Sequence, residues 1–345
     1  MKVLTMLYHR FDLWTAPPWF SERLRKDFPQ IQFEQFDDYT KAEPHFADAD
    51  VVITWSLRPE QVKAAKRLRW IHSPAAAVHQ LMIPEIVNSD IVVTNASVVH
   101  GAVVAEHVIA LVLAQAKRIP SLVRHQQRHE WAQQQLWKDF PRPREVAGAT
   151  LGLVGLGGIG EEVARRALLL GMRVAAVREH PDRTLPESLL RAASGFGEPG
   201  QTDESRIAVY GTSEIGRMLS QSEYVVLAAP LRDKTIAMIN RETLAHMKPD
   251  AYLINVSRGP LVDESALVEA LRGGQIAGAA LDVFDQEPLP PESPFWDLPN
   301  VLVTPHSAAL TEHLWERHYA VVSKNLRRFV EGLPLEHVVD KCRGY

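Results

Sequence analysis

Cysteine is almost absent from this chain of 345 residues, because Cys342 is the only one. A single thiol cannot close an internal disulfide, so the sequence excludes a disulfide-stapled fold and is compatible with a reducing, cytoplasmic setting. Cys342 lies close to the C-terminus, and chain ends rarely hold the fixed geometry that a nucleophile needs. We therefore expect no thiol chemistry.

The chain also lacks a surplus of charge of either sign. Lys and Arg total 38 and Asp and Glu total 42, which gives a net charge of −4. Proteins that bind nucleic acid or anionic membranes usually carry a basic excess. Neither a nucleic acid nor a membrane surface is therefore expected as a partner.

Long apolar runs are missing as well. The most apolar stretch, Val103–Ala114, is interrupted by Glu106 and His107, and it is far shorter than the roughly 20 residues that span a bilayer. The apolar run at the N-terminus is too short for a signal peptide. These absences predict a cytoplasmic protein that does not cross a membrane.

What the sequence does contain is an alternation of short apolar runs and helix-like segments, typical of α/β proteins with parallel sheets. The length suggests two domains at roughly 150 residues each. A first series of strands is predicted at Lys2–Tyr8, Val51–Thr54, Arg69–His72 and Ile91–Thr94. A second series predicts a doubly wound unit, with strands at Thr150–Val154, Arg173–Val177, Tyr224–Ala228, Ala251–Val256, Ile276–Leu281 and Val301–Thr304.

Two segments lie between these series, and one interrupts the second. Residues Ala102–Arg118 are predicted to form a helix that is apolar on most faces, and such a helix is usually buried under a sheet or in a subunit interface. The polar segment Arg124–Arg144 follows and is predicted to form a surface arm. Residues 180–206 are expected to form a short helix at Glu187–Ala193 and then a mobile surface loop, whose role the sequence does not indicate.

The second series opens with a glycine-rich turn between a strand and a helix. The turn holds Gly155-x-Gly157-x-x-Gly160, in the strand–turn–helix context that a dinucleotide-binding loop requires. Glycines permit the tight turn and the close approach of a pyrophosphate, and the helix N-terminus supplies free N–H groups. The predicted cofactor contacts here are Gly155, Gly157, Gly158, Ile159 and Gly160.

The end of the next strand bears on which dinucleotide is bound. In NAD sites an Asp or Glu about 20 residues after the first glycine holds the ribose 2′-OH, whereas here Arg178 follows the strand. A guanidinium cannot accept a hydrogen bond, but it binds a 2′-phosphate well. We therefore expect NADP, with Arg183 near enough to assist, while Glu179 leaves NAD open as the alternative.

Three later segments place ionisable residues directly after apolar strands. They contain Arg258, Glu287 and His306, and Asp282 precedes Glu287 in the same segment. In an open parallel sheet, ligands bind outside the carboxyl ends of the strands. We therefore expect these side chains to converge on one cleft.

These segments and the glycine loop together resemble the D-isomer-specific 2-hydroxyacid dehydrogenase family. The matching motifs are GLGGIG, Ala229-Pro230-Leu231, INVSRG, GAALDVFDQEPLP and NVLVTPHSA. The resemblance implies two Rossmann-like domains with parallel sheets, in which a dinucleotide-binding domain over residues 101–306 is inserted into a discontinuous substrate domain of residues 1–100 and 307–345. It also implies a homodimer joined by the long helix and the arm.

The resemblance implies hydride transfer between NAD(P)(H) and a 2-keto acid/D-2-hydroxy acid pair, with no metal. Arg258 would bind the substrate carboxylate with its planar fork. His306 would act as acid and base near neutral pH, and Glu287 would orient His306 and favour its protonated form. The further cofactor contacts that the resemblance assigns are Pro230, Val256, Arg258, Asp282 and His306.

The substrate contacts implied by the resemblance lie in a loop of small residues over 73–79. There Ala76 and Ala77 would bind the carboxylate through backbone N–H groups. Family members often have Gly at the position of Ala77 and Asp at that of His79, so the sequence leaves the pocket shape open. Glyoxylate and hydroxypyruvate are the expected substrates, with larger 2-keto acids as alternatives. Trp131 and Trp137 are expected to pack in the dimer interface rather than to reach a partner's pocket.

A binding protein of the same fold is the alternative function. Some relatives sense dinucleotides as transcriptional corepressors, but a pure sensor need not keep the full set of Arg258, Glu287 and His306. The chain ends at Tyr345, which disfavours the long type of phosphoglycerate dehydrogenase with its additional C-terminal domain. The sequence therefore favours a 2-keto acid reductase.

Overall fold

The computed structural model describes residues 1–9, 11–76, 78–194, 206–342 and 344. The chain divides into two compact units: unit 1 comprises Met1–His100 and Leu310–Tyr345, and unit 2 comprises Gly101–Ala309. The second crossing between units thus comes three residues later than the sequence predicts. Its position follows from local hydrogen bonds, because the backbone N–H groups of Ser307 and Ala308 bind the Asp282 carboxylate within unit 2.

Unit 1 is built on a parallel sheet of five strands in the order β2-β1-β3-β4-β5. The strands are β1 (Lys2–Met6), β2 (Gln32–Gln35), β3 (Val51–Thr54), β4 (Trp70–Ser73) and β5 (Val92–Asn95). Its helices are α1 (Pro18–Asp27), α2 (Tyr39–Ala42), α3 (Pro59–Ala64), α4 (Pro84–Val87) and, from the end of the chain, α13 (Leu314–Val330).

The sheet of unit 1 is buried on both faces. Leu4 and Val52 belong to one core cluster, whereas their neighbours Val3, Val51 and Ile53 belong to another. Successive side chains of a strand point to opposite faces, so the two clusters cover the two faces of the sheet. This double burial explains why the strands are continuous apolar runs rather than alternating ones.

Unit 2 is built on a parallel sheet of seven strands in the order β12-β11-β10-β9-β6-β7-β8. The strands are β6 (Thr150–Val154), β7 (Arg173–Val177), β8 (Ile207–Tyr210), β9 (Tyr224–Leu227), β10 (Tyr252–Asn255), β11 (Gly278–Leu281) and β12 (Val301–Val303). The helices after the inter-unit helix α5 (Ser97–Ala116) are α6 (Ile119–Gln127), α7 (Gln133–Lys138), α8 (Gly158–Leu169), α9 (Glu187–Ser194), α10 (Ile215–Gln221), α11 (Arg241–Leu244) and α12 (Glu264–Arg272). The strand order reverses between β6 and β9, which is where doubly wound sheets bind their ligands.

Helix α5 extends past the apolar stretch seen in the sequence at both ends. It has 20 residues, and by length and composition alone it is long and apolar enough to cross a membrane. Half of its most apolar window is buried in the structure, and Val104, Val108 and Val112 belong to a core cluster of unit 2. Core helices of soluble proteins share these properties, so the length of α5 is weak support for a membrane span.

Unit 1 buries His72 and His318, and neither forms an ion pair with an acidic side chain among the described residues. The His318 side chain on α13 is 1% exposed, and neither of its ring nitrogens has a hydrogen-bond partner among the described residues. Its ring lies 5.6 Å from that of His100. Burial, with the nearby His100 and His72, holds the pKa of His318 well below its ordinary value. Burial, with a smaller effect of His337, lowers the pKa of His72 from 6.5 to about 3.

We predict that acid destabilises unit 1 through these histidines. Their folded-state pKa values lie below the unfolded value, so the unfolded chain binds more protons as the pH falls from about 6.5 towards 3. The free energy of unfolding therefore falls in that window, by up to about 1.4 kcal/mol per pH unit for each histidine. Urea midpoints at pH 7.5 and 5.5 should differ less in His318→Phe than in the wild type. The exposed His313 gives the control His313→Gln, and an unchanged pH dependence in His318→Phe would contradict the prediction.

Candidate active site

The glycine turn after β6 packs against the end of β9. Gly155 has φ +97°, in the left-handed region, and a Cβ there would lie 2.8 Å from the carbonyl oxygen of Ala228. A Cβ on Gly160 would lie 2.1 Å from the carbonyl oxygen of Gly155. These two glycines are therefore required by backbone packing, whether or not a ligand is bound.

The glycines between them face open space. A Cβ on Gly157 or Gly158 would meet nothing within 4 Å, and both residues are exposed. They stand at the N-terminus of the 12-residue helix α8, where no side chain caps the free N–H groups. An open cradle with unpaired N–H groups at a helix N-terminus fits the pyrophosphate of a dinucleotide.

The end of β7 carries the charges that bear on the adenosine end of a dinucleotide. The Arg178 guanidinium donates a hydrogen bond to the carbonyl oxygen of Pro181 at 3.0 Å, and its Nε is buried without a partner among the described residues. Burial and the nearby Arg183 lower the pKa of Arg178, and Glu161 opposes this shift. A partly buried guanidinium with a spare donor fits an anionic group of a ligand.

Arg258 follows β10 in a turn that is shaped by Asn255. The Asn255 amide accepts from Ser257 N at 3.0 Å and donates to the Arg258 carbonyl oxygen at 2.9 Å. Burial lowers the pKa of the Arg258 guanidinium, and Glu287 partly offsets this effect. The next residue, Gly259, brings this turn against the segment after β11, since a Cβ there would lie 2.0 Å from the carbonyl carbon of Phe284.

Glu287 and His306 form a direct pair. Glu287 Oε2 lies 2.6 Å from His306 Nδ1, and Glu287 Oε1 accepts from Phe284 N at 3.0 Å. Burial alone would raise the pKa of Glu287, but the hydrogen bonds from His306 and Phe284 outweigh it and lower that pKa. An ionised Glu287 requires a proton on His306 Nδ1, which leaves Nε2 as the nitrogen that exchanges protons. His306 Nε2 has no partner among the described residues, and the side chain is 46% exposed.

Asp282 anchors the loop that carries His306. Its side chain is 1% exposed, and it accepts hydrogen bonds from Thr304 Oγ1 at 2.5 Å, Ser307 N at 2.8 Å and Ala308 N at 3.0 Å. The backbone N of His306 also donates to the Asp282 carbonyl oxygen at 2.8 Å. These contacts hold His306 at φ +51°, a conformation that is unfavourable for a residue with a side chain. The hydrogen bonds that the Asp282 carboxylate accepts thus come from the loop that carries His306, and a contact with a cofactor stays a prediction.

His107 and Thr304 belong to the same network, although the sequence did not single them out for a role here. His107 Nε2 lies 3.3 Å from Thr304 Oγ1 and 3.7 Å from Asp282 Oδ1. Because the Thr304 hydroxyl donates to Asp282, it accepts from His107. The only sequence signal was the position of Thr304 just before Pro305 and His306; nothing in the sequence connected α5 with this loop.

The other residues predicted for the site have different surroundings. Pro230 is exposed beyond β9, Val256 is buried after β10, and Ile159 is partly buried on α8. Ala76 lies in unit 1, where its carbonyl oxygen accepts from Asn95 Nδ2 at 2.9 Å, and Ala77 lies outside the described residues. The structure therefore brings Arg258, Glu287, His306 and Asp282 together but gives no geometry for the substrate loop.

A cavity of about 610 Å³ lies elsewhere in unit 2. Its lining includes Tyr252, Ala277 and Asn300, which stand at or directly before the start of β10, β11 and β12. It is therefore at the amino edge of the sheet, whereas Arg258, Glu287 and His306 follow the carboxyl ends of the same strands. The cavity is not the site formed by these three residues.

Sequence comparisons agree with the resemblance. The profile described as "D-isomer specific 2-hydroxyacid dehydrogenase, NAD binding domain" matches residues 109–308. The chain is 34% identical over 289 residues to the glyoxylate reductase of Korarchaeum cryptofilum, covering 83% of this chain and 81% of that protein. It is 31% identical over 296 residues to the D-3-phosphoglycerate dehydrogenase of Methanocaldococcus jannaschii, covering 85% of this chain but 52% of that protein. The chain thus spans about half the length of the latter relative.

Solved structures give the same result over the whole chain. The NADPH-dependent glyoxylate/hydroxypyruvate reductase of Sinorhizobium meliloti, in complex with NADP and sulfate, has a TM-score of 0.78 at 27% identity and covers 100% of this chain and 99% of its own. The D-isomer specific 2-hydroxyacid dehydrogenase of Xanthobacter autotrophicus, in complex with NADPH and MES, has a TM-score of 0.79 at 27% identity with the same coverage. The predicted fold class, α/β units with parallel sheets, is confirmed.

The glycine turn yields a prediction that separates ligand binding from folding. Gly157→Ala adds a methyl group in open space, so the melting temperature should stay close to that of the wild type. The same methyl group would obstruct a pyrophosphate, and affinity for NADP should fall by roughly tenfold or more. Gly160→Ala should instead lower the melting temperature, because its Cβ would overlap the Gly155 carbonyl oxygen. Titration calorimetry and thermal melts test both, and unchanged NADP affinity in Gly157→Ala would contradict the assignment.

Proposed function

Because the chain belongs to the family of D-isomer specific 2-hydroxyacid dehydrogenases, we propose that it reduces a small 2-keto acid to the D-2-hydroxy acid with NADPH as the preferred cofactor. The observation that carries this proposal is the Glu287–His306 pair at 2.6 Å, with Arg258 near enough to influence Glu287 electrostatically. A carboxylate binder and a proton donor held by an ionised carboxylate are what reduction of a 2-keto acid requires.

The cofactor, when bound, supplies the hydride that C2 of the substrate accepts. Arg258 binds the substrate carboxylate, and because it is largely buried its charge acts with little screening by water. His306 donates a proton from Nε2 to the carbonyl oxygen as that oxygen becomes an alkoxide. Glu287 accepts the hydrogen bond from Nδ1 throughout, which fixes the orientation of the ring. In the oxidative direction the same nitrogen removes the hydroxyl proton.

The proton-transfer role predicts the effect of replacing His306. His306→Ala should reduce kcat by about 100-fold or more, the usual contribution of a general acid, while NADP still raises the melting temperature as it does in the wild type. Steady-state kinetics with NADPH and a 2-keto acid measure the first effect, and thermal melts measure the second. His313→Ala, at an exposed position, serves as the control. A His306→Ala enzyme with normal turnover would refute the mechanism.

The preference for NADPH rests on Arg178. Its side chain is partly buried at the end of β7, and its Nε is unpaired within the described part of the chain. A 2′-phosphate would supply acceptors to this guanidinium, whereas the 2′-OH of NADH carries no charge to bind.

The cofactor preference can be tested by replacing Arg178. Arg178→Ala should lower kcat/KM for NADPH by roughly tenfold, the effect of losing one charge-assisted hydrogen bond, and change kcat/KM for NADH much less. Arg173→Ala, at the other end of β7, is the matched control. Equal efficiency of the wild type with the two cofactors would rule out the preference.

The preferred substrate is proposed from the chemistry of the site and from the relatives. We assign glyoxylate and hydroxypyruvate as substrates, in keeping with the names of the relatives from Korarchaeum and Sinorhizobium. NADPH oxidation measured over a series of 2-keto acids tests this assignment, and a clear preference for bulky 2-keto acids would overturn it. Carboxylate binding by Ala76 and Ala77 stays a prediction from the resemblance.

We also propose that the chain forms a homodimer through the arm that holds α6 and α7. Trp131, Trp137 and Phe140 are 92%, 64% and 73% exposed, and such a concentration of exposed large apolar side chains is typical of protein interfaces. Sedimentation equilibrium should show a dimer for the wild type and weaker association for Trp131→Glu/Phe140→Glu. A wild-type chain that sediments as a monomer would contradict the proposal.

A further inference from the structure

The acidic residue at the end of β7 is already engaged by a side chain of the protein. Glu179 Oε2 accepts a hydrogen bond from Arg232 Nη1 at 3.1 Å, with side-chain exposures of 49% and 30%. Glu179 follows directly after Arg178, close to where NAD sites place the acceptor for the ribose 2′-OH. We propose that Arg232 sets the dinucleotide preference by occupying Glu179, so that this carboxylate no longer selects for NAD. The inference rests on the proposed preference for NADP.

The position of Arg232 in the fold supports this role. Arg232 lies in the segment after β9, and Glu179 lies in the segment after β7. Both strands are neighbours of β6 in the sheet, and β6 leads into the glycine turn. The ion pair therefore connects the segments on either side of the turn that fits a pyrophosphate.

The backbone of Arg232 is fixed by a local turn. Its N–H donates to Thr235 Oγ1 at 2.8 Å, and Thr235 N donates back to the Arg232 carbonyl oxygen at 2.8 Å. Thr235 Oγ1 also lies 2.9 Å from the carbonyl oxygen of Pro230. Because the backbone of Arg232 is already fixed, less conformational entropy is lost when its guanidinium pairs with Glu179.

The contact has two consequences, both unfavourable to NAD relative to NADP. A carboxylate oxygen that accepts from Arg232 is less available to the ribose 2′-OH of NAD. The positive charge of Arg232 also cancels the repulsion between Glu179 and the 2′-phosphate of NADP. The gain in folding stability is small, because water screens partly exposed ion pairs. The pair therefore has more effect on which ligand binds than on the fold.

Replacing Arg232 should leave the Glu179 carboxylate available to the ribose 2′-OH of NAD. Arg232→Ala should bind NADP roughly tenfold more weakly and NAD severalfold more tightly than the wild type. Arg232→Ala/Glu179→Gln should lose the gain for NAD and recover part of the affinity for NADP, because the free carboxylate is gone. Arg232→Lys keeps the charge opposite Glu179 and should stay close to the wild type.

Titration calorimetry on the cofactor-free protein gives these affinities without any turnover, using NADP, NAD and the fragment pair 2′,5′-ADP and 5′-ADP. Arg217→Ala is the matched control, since Arg217 pairs with Glu214 at 3.3 Å on the surface of the same unit. Thermal melts identify a variant that fails to fold. In that case the single variant Glu179→Gln tests the same pair. It should bind NAD no more tightly than the wild type does, and its affinity for NADP should be unchanged.

The outcomes separate the two proposals. A wild type that binds NAD as tightly as NADP refutes the proposed cofactor preference itself. The wild type could instead prefer NADP while Arg232→Ala binds each cofactor equally well with Glu or Gln at position 179. That result overturns the role of the pair and leaves the cofactor preference standing. A gain for NAD that requires Glu179 supports the inference.

Discussion

Asp282 places a carboxylate in the interior of unit 2, where it accepts hydrogen bonds from the loop that carries His306. A buried charge without such donors would be unfavourable by several kcal/mol. Here the donors are backbone and hydroxyl groups of the loop itself, so the charge is stable only while the loop keeps its conformation. The carboxylate and the shape of the loop therefore stabilise each other, and the position of His306 depends on this arrangement.

The parallel sheet supplies the second requirement, which is convergence. Arg258, Glu287 and His306 follow β10, β11 and β12, three neighbouring strands. Neighbouring strands lie about 4.8 Å apart, so residues far apart in the sequence emerge side by side at the carboxyl edge. Gly259 then permits the first two segments to touch, since any side chain there would overlap the backbone of Phe284. Side chains of ordinary length can therefore meet without any special connection between the segments.

Much of this arrangement was predictable because it depends on local patterns. The runs that become β6 and β7 carry no charged or polar side chain after their first residue, and they end where the structure ends them. Strand β2 was missed because its sequence, QFEQ, buries one side chain fully, and β8 because its residues are only partly buried. The network of Asp282, Thr304 and His107 was not predictable, since it joins α5 to a distant loop through contacts that leave no periodic signal. Sequence patterns thus indicated which ionisable residues converge after β10, β11 and β12, but not which residues hold them in place.

Solvent exposure decides how much each polar contact of unit 2 contributes to folding. Asp282 is buried, so its hydrogen bonds contribute to the fold, and water cannot replace them if they are lost. Glu287–His306 and Glu179–Arg232 are partly exposed, so water screens them and their contribution to folding is small. In the proposed function they determine instead which atom donates and which accepts. They set which nitrogen of His306 carries the exchangeable proton and whether Glu179 is available to a ribose hydroxyl. Substitutions at the end of β7 could therefore alter the proposed cofactor preference without disturbing the loop that Asp282 holds.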